Sequence, residues 1–454
     1  MHISKKSSNF AAHLKIECFS IMKRNGIILT AVMILTVMVA KAENTFPFAV
    51  FEKMQQTIEG NIIVSPFSLE QAVGMAANGA QGATLDELLA LTGDTSLAAL
   101  NLRNQQMADL LRARQNDTLS SMHVANSVWH LPDLQLMTPF LDSVRTRYSA
   151  YVDTANFATQ QGIDSVNAWV SENTDALIKK ILEFPDPTLF VALINATLFH
   201  GTWEYGMHPY PMGTQPFRNA DGSGTNVEMI GMLGEYTTNN LYLDEDLVGV
   251  GVNFVGEDYK SHYHVMFILP RDYQNMVALT SERWHNLLQN KQSAYMHIKV
   301  PKFDVSCNEE MLNMLKEMGA FVSNDFSGVA PNMYVSQIKH STRMLLDEKG
   351  MSAAAVTMIG MTSGMPVERE YTDFIVNRPF YVAIMAEGTD EPIFLAKIKQ
   401  LDGGACEAPA APYITLGVDN HQESVTSSKV LRNGQLFIIR PDGTCYSATG
   451  QRVE

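Results

Sequence analysis

Basic charge is scarce in this sequence. Its 33 Lys and Arg face 48 Asp and Glu, for a formal net charge of -15. A surface of that sign repels phosphate backbones and anionic headgroups, which argues against nucleic acid and anionic membrane as partners. Cysteine is scarcer still, at four in 454 residues, and no Cys-x-x-Cys or Cys/His spacing suggests zinc. No P-loop, dinucleotide fingerprint or His-Glu-x-x-His occurs. Gly360 to Gly364 (GMTSG) misses the nucleophile elbow by one position, and no strand pattern leads into it. His262 and His264 share one face of a strand pattern without a third ligand, so a half-exposed polar face describes them better than a metal pair. The chain therefore calls for no cofactor, no metal and no catalytic residue of its own.

Long apolar runs are also lacking. Ile27 to Ala40 falls short of the ~20 residues of a spanning helix. It follows Lys23 and Arg24 and precedes the small-residue site Ala40-Lys41-Ala42. That order reads as an export leader over 1–42, with Met22 as the true start and Glu43 as the mature terminus; the competing reading is an N-terminal membrane anchor. Export implies an oxidising compartment, where disulfides persist. Cys18 leaves with the leader, and Cys307, Cys406 and Cys445 remain, enough for one internal pair at most. Cys406 and Cys445 can pair, or all three can stay thiols.

What is present is a core. Hydrophobic residues make up 46% of the chain and charged residues 18%, which suits a packed globular domain. Asn61 to Leu91 reads as a strand end followed by an amphipathic helix, and Val166 to Leu182 as a helix. Leu189 to Trp203 reads as an apolar strand, Val265 to Leu269 and Met296 to Val300 as short strands, and Glu309 to Met318 as a helix. This irregular order predicts an α+β fold rather than a doubly wound sheet. One domain over 43–402 is expected. The small, Pro-rich stretch from Gly403 opens a linker over 403–428. Residues 429–454 carry two strand patterns around the turn Pro441-Asp442-Gly443 and read as a small β module.

Several motifs point to one family. NIIVSPFSLEQAVGMAANGAQGATLDELLALTG (Asn61 to Gly93) contains Ser65, Pro66 and Ser68, then Gly79, Gly82, Thr84 and Glu87. VNAWVSENTDALIKKIL (Val166 to Leu182), LINATLFHGTWE (Leu193 to Glu204), VPKF (Val300 to Phe303), DFSG (Asp325 to Gly328) and FIVNRPFYVAI (Phe374 to Ile384) follow in order. Together they resemble the serpin family from about Asn44 to Leu401. Ala176 and Leu177 depart from the family's usual Gly-Lys pair. The resemblance implies a large mixed central β-sheet with surrounding helices, smaller sheets and an exposed reactive-centre loop. It also implies a shutter and breach, here Ser65, Ser68, Asn195, His340 and Trp203, where buried polar groups hold sheet strands together yet let them part. Any of those groups left without a hydrogen bond is costly.

The resemblance assigns DEKGMSAAAVTMIGMTSGMPVEREYTDF (Asp347 to Phe374) to the mobile loop. Glu348, Lys349, Gly350, Met351, Ser352, Ala353, Ala354 and Ala355 form its hinge. Alternate residues Met351, Ala353, Ala355, Thr357 and Ile359 would face inward on insertion, and none is charged or proline. Met351 stands where inhibitory members carry Thr, Ser or Val, and its bulk would slow the first step. In the family's register the cleaved bond is Gly364-Met365, with Met361 and Ser363 as alternative positions. The implied function is proteinase inhibition by a suicide-substrate mechanism; the alternative is a non-inhibitory binding or carrier protein. The implied partner is a serine or cysteine proteinase met by a monomer with no membrane span in its mature chain. Uncharged residues around the bond favour elastase-like, subtilisin-like or papain-like targets. The closing YxxxGQxV of the tail resembles C-terminal sorting modules of exported proteins. It predicts a secreted, cell-surface or periplasmic protein of a Gram-negative bacterium.

Overall fold

The computed structural model describes residues 45–204, 207–234, 239–351 and 371–409, and the backbone of four short strands between 428 and 453. The first part of the chain holds α1 (Phe46–Thr57), β1 (Ile62–Val64), α2 (Pro66–Ala77), α3 (Ala83–Thr92), α4 (Leu97–Arg112), β2 (Ser120–His130), α5 (Thr138–Arg147), β3 (Tyr151–Thr154) and α6 (Gln160–Glu172). Then come β4 (Val191–Thr202), β5 (Met207–Arg218), β6 (Gly224–Gly234), β7 (Asn239–Leu243), β8 (Leu247–Phe254), β9 (Tyr263–Pro270), α7 (Ser281–Gln289), β10 (Lys291–Ala294), β11 (Met296–Pro301), β12 (Phe303–Glu310) and α8 (Leu312–Glu317). Last are β13 (Lys339–Asp347), β14 (Gly350–Met351), β15 (Thr372–Ile375), β16 (Phe380–Ala386), β17 (Pro392–Ile398) and β18 (Gly404–Cys406). The tail contributes β19 (Ser428–Arg432), β20 (Gln435–Ile439), β21 (Cys445–Ser447) and β22 (Arg452–Val453).

Three sheets carry the main domain. A six-stranded sheet runs β12-β13-β14-β4-β2-β3, a seven-stranded sheet β1-β17-β16-β9-β8-β7-β10, and a five-stranded sheet β15-β11-β6-β18 with β5 also on β6. Most pairs are antiparallel, but β3 on β2 and β15 on β11 are parallel. Strands β16 and β17 are buried at every residue, which is why β16 reads as an unbroken apolar run and β17 as one broken only by Lys397. α2 is buried nearly all round, from Pro66 to Ala77, and runs beneath β4 and β17. Pro66 fits its first turn because no amide hydrogen is needed there, and the Ser65 side chain caps it by accepting from the Ser68 amide.

Two helical readings change. The stretch Asn61 to Leu91 holds two helices, parted near Gly79 where the Gly328 amide reaches the Gly79 carbonyl at 3.1 Å. The pattern from Val166 to Leu182 leaves the helix at Glu172. Asp175 and Ala176 take left-handed φ of 47° and 61°, conformations unfavourable for residues with a Cβ. The Asn167 side chain then collects the Ile181 and Leu182 amides that a continued helix would have used. Thr84 and Glu87 accept from the backbone of Asp325, Val322 and Ser323, so two motifs far apart in sequence interlock.

The stretch read as linker begins as structure. β18 pairs with β6, Cys406 opposite Gly224, and the Pro409 carbonyl accepts from Tyr273 at 2.8 Å. Small residues allow this contact: a Cβ on Gly403 would lie 2.1 Å from the Asn226 carbonyl oxygen. The tail forms a four-stranded antiparallel meander rather than two strands. No helix among the described residues is long and apolar enough to cross a membrane.

Candidate functional site

The six-stranded sheet has a strand of two residues at its centre. β13 ends at Asp347, the chain turns through Glu348 and Lys349, and β14 doubles back with Met351 opposite Leu346. On its other side β14 pairs with β4, Gly350 opposite Thr202 and Met351 opposite Gly201. Among the described residues β14 alone bridges β4 and β13. Further along that seam, a cavity of about 390 Å³ lies between residues 188–194, which lead into β4, and residues 331–339, which lead into β13.

Glycine makes the seat feasible. Gly350 has φ of 149°, and a Cβ there would sit 1.8 Å from the Gly201 carbonyl oxygen. Gly201 is as constrained, since a Cβ would come within 2.8 Å of the Phe254 and Phe199 rings. Met351 fits the space, with 1% of its surface exposed. Around the turn, the Lys349 amide donates to the Asp347 side chain at 2.7 Å, and Glu348 pairs with Lys302 at 2.6 Å. Lys302 also binds Glu228 at 2.8 Å, tying the turn to β6. Trp203 is buried, stacks on Phe254 with centroids 5.0 Å apart, and donates its indole hydrogen to the Asp347 carbonyl at 3.3 Å.

Ser65, Ser68 and His340 form one buried cluster. The Ser65 amide donates to His340 Nε2 at 3.3 Å, and the Ser65 hydroxyl donates to the Ile393 carbonyl at 3.0 Å. Accepting at Nε2 places the neutral ring's proton on Nδ1. Burial pushes the His340 pKa down to about 4, so the ring is neutral at ordinary pH. Asn195 bonds to a different partner. It stands opposite Asn126 in the β2–β4 ladder and donates to its side-chain oxygen at 2.6 Å, while its own Oδ1 is buried without a partner. Ser352, Ala353, Ala354, Ala355, Met361, Ser363, Gly364 and Met365 lie outside the described residues.

The histidine pair divides. His262 precedes β9 and binds Asp258 at 2.9 Å and Glu387 at 3.2 Å. His264 is on β9, partly buried, with its pKa pushed down to about 4 by burial and by Lys291. Among the described residues no group of three or more His, Cys, Asp or Glu could hold a metal ion. Among the described residues Cys307 and Cys406 form no disulfide, and the Cys445 side chain lies outside them.

A family model described as "Serpin (serine protease inhibitor)" matches residues 41–401. The chain belongs to the serpin family. It is 30% identical over 369 residues to serpin-Z12 of Oryza sativa subsp. japonica, covering 74% of this chain and 85% of that one. The native-state structure of the thermophilic serpin tengpin matches with TM-score 0.66 and 28% identity, covering 79% of this chain and 94% of that one. Thyroxine-binding globulin in complex with thyroxine shares the fold at TM-score 0.68 and 21% identity, over 80% and 99% of the two chains. Serpins are in general protease inhibitors rather than enzymes. The α+β serpin architecture expected from sequence is the one observed.

Within this serpin, several partners had no motif to mark them. Asn126 donates to Gln71 at 3.2 Å and to the Tyr148 carbonyl at 2.8 Å, and Gln71 donates to Asn104 at 2.6 Å. Thr342 donates to the Ile63 carbonyl at 2.9 Å, joining β13 to β1. Lone amides in apolar segments are the signal that could have flagged Asn126, as they flagged Asn195.

Proposed function

We propose that this serpin inhibits a serine or cysteine proteinase as a suicide substrate. Cleavage in the loop frees the hinge, and the hinge continues as a new strand between β4 and β13. The acyl-linked proteinase is carried along and its active site distorted. The observation that carries this reading is β14, two residues already seated in the seam and, among the described residues, alone in joining β4 to β13. Insertion would gain ladder hydrogen bonds and bury apolar side chains. Met351 is accommodated opposite Gly201, which favours insertion despite its bulk. With Met351 facing the core, strand alternation in the inserted hinge would turn Ala353, Ala355, Thr357 and Ile359 the same way.

The cleaved bond in this reading is Gly364-Met365, and the target is elastase-like, subtilisin-like or papain-like. The test mixes the purified protein with a panel of serine and cysteine proteinases. A complex that survives denaturing electrophoresis is expected, with mass spectrometry locating the released peptide after Gly364 or at the nearby alternatives Met361, Ser363 and Met365. Cleavage by every proteinase with no stable complex would overturn inhibition and leave a carrier role of the kind that the name thyroxine-binding globulin describes for that protein. Release after Arg369 with tight trypsin inhibition would overturn the assigned register.

A further inference from the structure

Two carboxylates contact one guanidinium beneath the six-stranded sheet, and a third stands within electrostatic reach. Arg103 of α4 donates to Asp94 through Nε at 3.3 Å and through Nη2 at 2.7 Å, and Nη2 also reaches the Thr92 carbonyl at 3.3 Å. The same Nη2 contacts Glu70 of α2, a carboxylate 5% exposed. Glu391, at the turn into β17, lines the same cavity as Glu70 and Arg103, acts on both electrostatically and is half-buried. With all three acids ionised, one cation answers three anions. The cluster borders a cavity of about 240 Å³ whose wall includes Pro47, Phe67, Asn104 and Met107.

A run of buried amides leads from this cluster to the sheet. Gln71, next to Glu70 on α2, donates to Asn104 of α4 at 2.6 Å. Asn126 of β2 donates to Gln71 at 3.2 Å, and Asn195 of β4 donates to Asn126 at 2.6 Å. For a strand to enter between β4 and β13, β4 and β2 must move away from β13 across α2. The amides tie both moving strands to α2 and α4.

We infer that the Glu70–Arg103–Asp94–Glu391 cluster is a pH-responsive brake on opening of the six-stranded sheet, acting through the Asn104–Gln71–Asn126–Asn195 run. The inference rests on the inhibitory reading for its consequence, though not for its titration. The groups facing Glu70 are Arg103 and Asn104 from α4, Asp94 from the α3–α4 connection and Glu391 from the turn before β17. The Tyr148 hydroxyl faces it from the end of α5, and β2 and β4 contribute only the neutral Asn126 and Asn195 to the run. Burial pushes the Glu70 pKa up to about 7; Arg103 opposes the shift, while Glu391 and Asp94 add to it. Protonation removes one of two surplus negative charges and relieves the repulsion of Glu70 by Glu391 and Asp94, at the expense of the ionic part of its contact with Arg103.

The direction follows from proton binding. The folded state holds the Glu70 proton more tightly than the unfolded chain, so this stabilisation is complete below about pH 4.5 and is lost as pH rises through about 7. Between about pH 6.5 and 8, below which the buried histidines add their own response, acidification should raise the thermal midpoint and slow sheet opening.

The experiment uses the full mature chain as wild type, Glu70→Gln and Glu391→Gln. Thermal midpoints are measured across about pH 6.5 to 8. The proportion of trapped to merely cleaved inhibitor is measured at both ends with a proteinase that forms the complex. The wild-type midpoint should fall as pH rises, and trapping should be greater at the higher pH. Glu70→Gln should hold the midpoint level and keep trapping low at both ends; comparison at equal pH removes the proteinase's own pH profile. Glu391→Gln, should Glu70→Gln not fold, should move the midpoint's inflection to lower pH. A wild-type midpoint level across the range, or an equal slope in Glu70→Gln, would overturn the cluster's titration. A slope without a matching change in trapping would overturn the brake. Absence of any trapped complex would defeat the inhibitory reading, and the consequence drawn here with it, while the thermal arm still decides the titration.

Discussion

Replacing Gly350 with alanine tests the two-residue strand directly. The added Cβ would lie 1.8 Å from the Gly201 carbonyl oxygen, where a relaxed contact needs well over 3 Å. The backbone φ of 149° is also one that alanine rarely adopts, at a cost of ~1–3 kcal/mol. Two responses are open. Either β14 stays and bears the strain and clash, or it leaves the seam and exposes Met351, now 1% exposed, at ~1.5–3 kcal/mol. The cheaper route sets the effect, so a destabilisation of ~2–3 kcal/mol is expected. In a domain of this size that lowers the thermal midpoint by ~3–5 °C. The hinge would then begin insertion from outside the sheet, and more inhibitor would be cleaved without trapping its proteinase. Differential scanning calorimetry and densitometry of denaturing gels read the two effects, with Lys349→Ala, an exposed neighbour, as control. A midpoint and trapped fraction equal to wild type in Gly350→Ala would show that the seat neither stabilises the sheet nor primes it.

Other perturbations follow from the same geometry. Ala353→Arg or Ala355→Glu should turn the inhibitor into a substrate, because each charge would have to enter the sheet; an unchanged yield of stable complex contradicts insertion. Asn126→Ala, which strips contacts to Gln71, the Tyr148 carbonyl and Asn195, should cost ~1–3 kcal/mol in urea unfolding, and Asn195→Ala less, its Oδ1 being unpartnered already. The reverse order would refute the amide run. Burial holds the pKa values of His340 and His264 down to about 4, so the folded state binds fewer protons than the unfolded chain from about pH 6.5 to 4, and stability falls on acidification through that window. His340→Gln, which keeps an acceptor for the Ser65 amide, should flatten the fall in midpoint against pH; an unaltered slope would place the titration elsewhere.

Much of the fold was readable because the period of the pattern matched the burial. VMFIL became the centre of β9, a strand buried on both faces, and the apolar stretch Leu189 to Trp203 became β4, which alternates between buried and half-buried residues. The helix pattern past Glu172 misled for a local reason. Ile178, Ile181 and Leu182 are buried at helix-like spacing, yet they hang from irregular backbone anchored on Asn167 and Thr174. Periodicity reports which side chains face the core, not which hydrogen bonds hold the chain there. β18 was hidden for the opposite reason: Gly404–Cys406 is exposed to half-buried, so it pairs through backbone alone and leaves no apolar mark.

The candidate site divides along the same line. Ser65, Ser68, His340 and Trp203 were legible as polar or large groups inside apolar segments, and three of them meet within hydrogen-bonding distance. Asn195 was legible as an oddity but not in its company, because its partner is set by the β2–β4 register. A shift of one residue would give that amide another neighbour. Met351 shows the limit most plainly. Its size against the family habit suggested a slow first step, yet opposite it stands Gly201, a residue 150 positions earlier that carries no side chain. Only the ladder, which places the two face to face, makes that pairing visible. Gly350 lies against the Gly201 carbonyl where no Cβ could fit, and the space beside Gly201 is taken by the Phe199 and Phe254 rings, so the hinge enters the sheet at a point where backbone and rings are packed too closely for any side chain at either glycine.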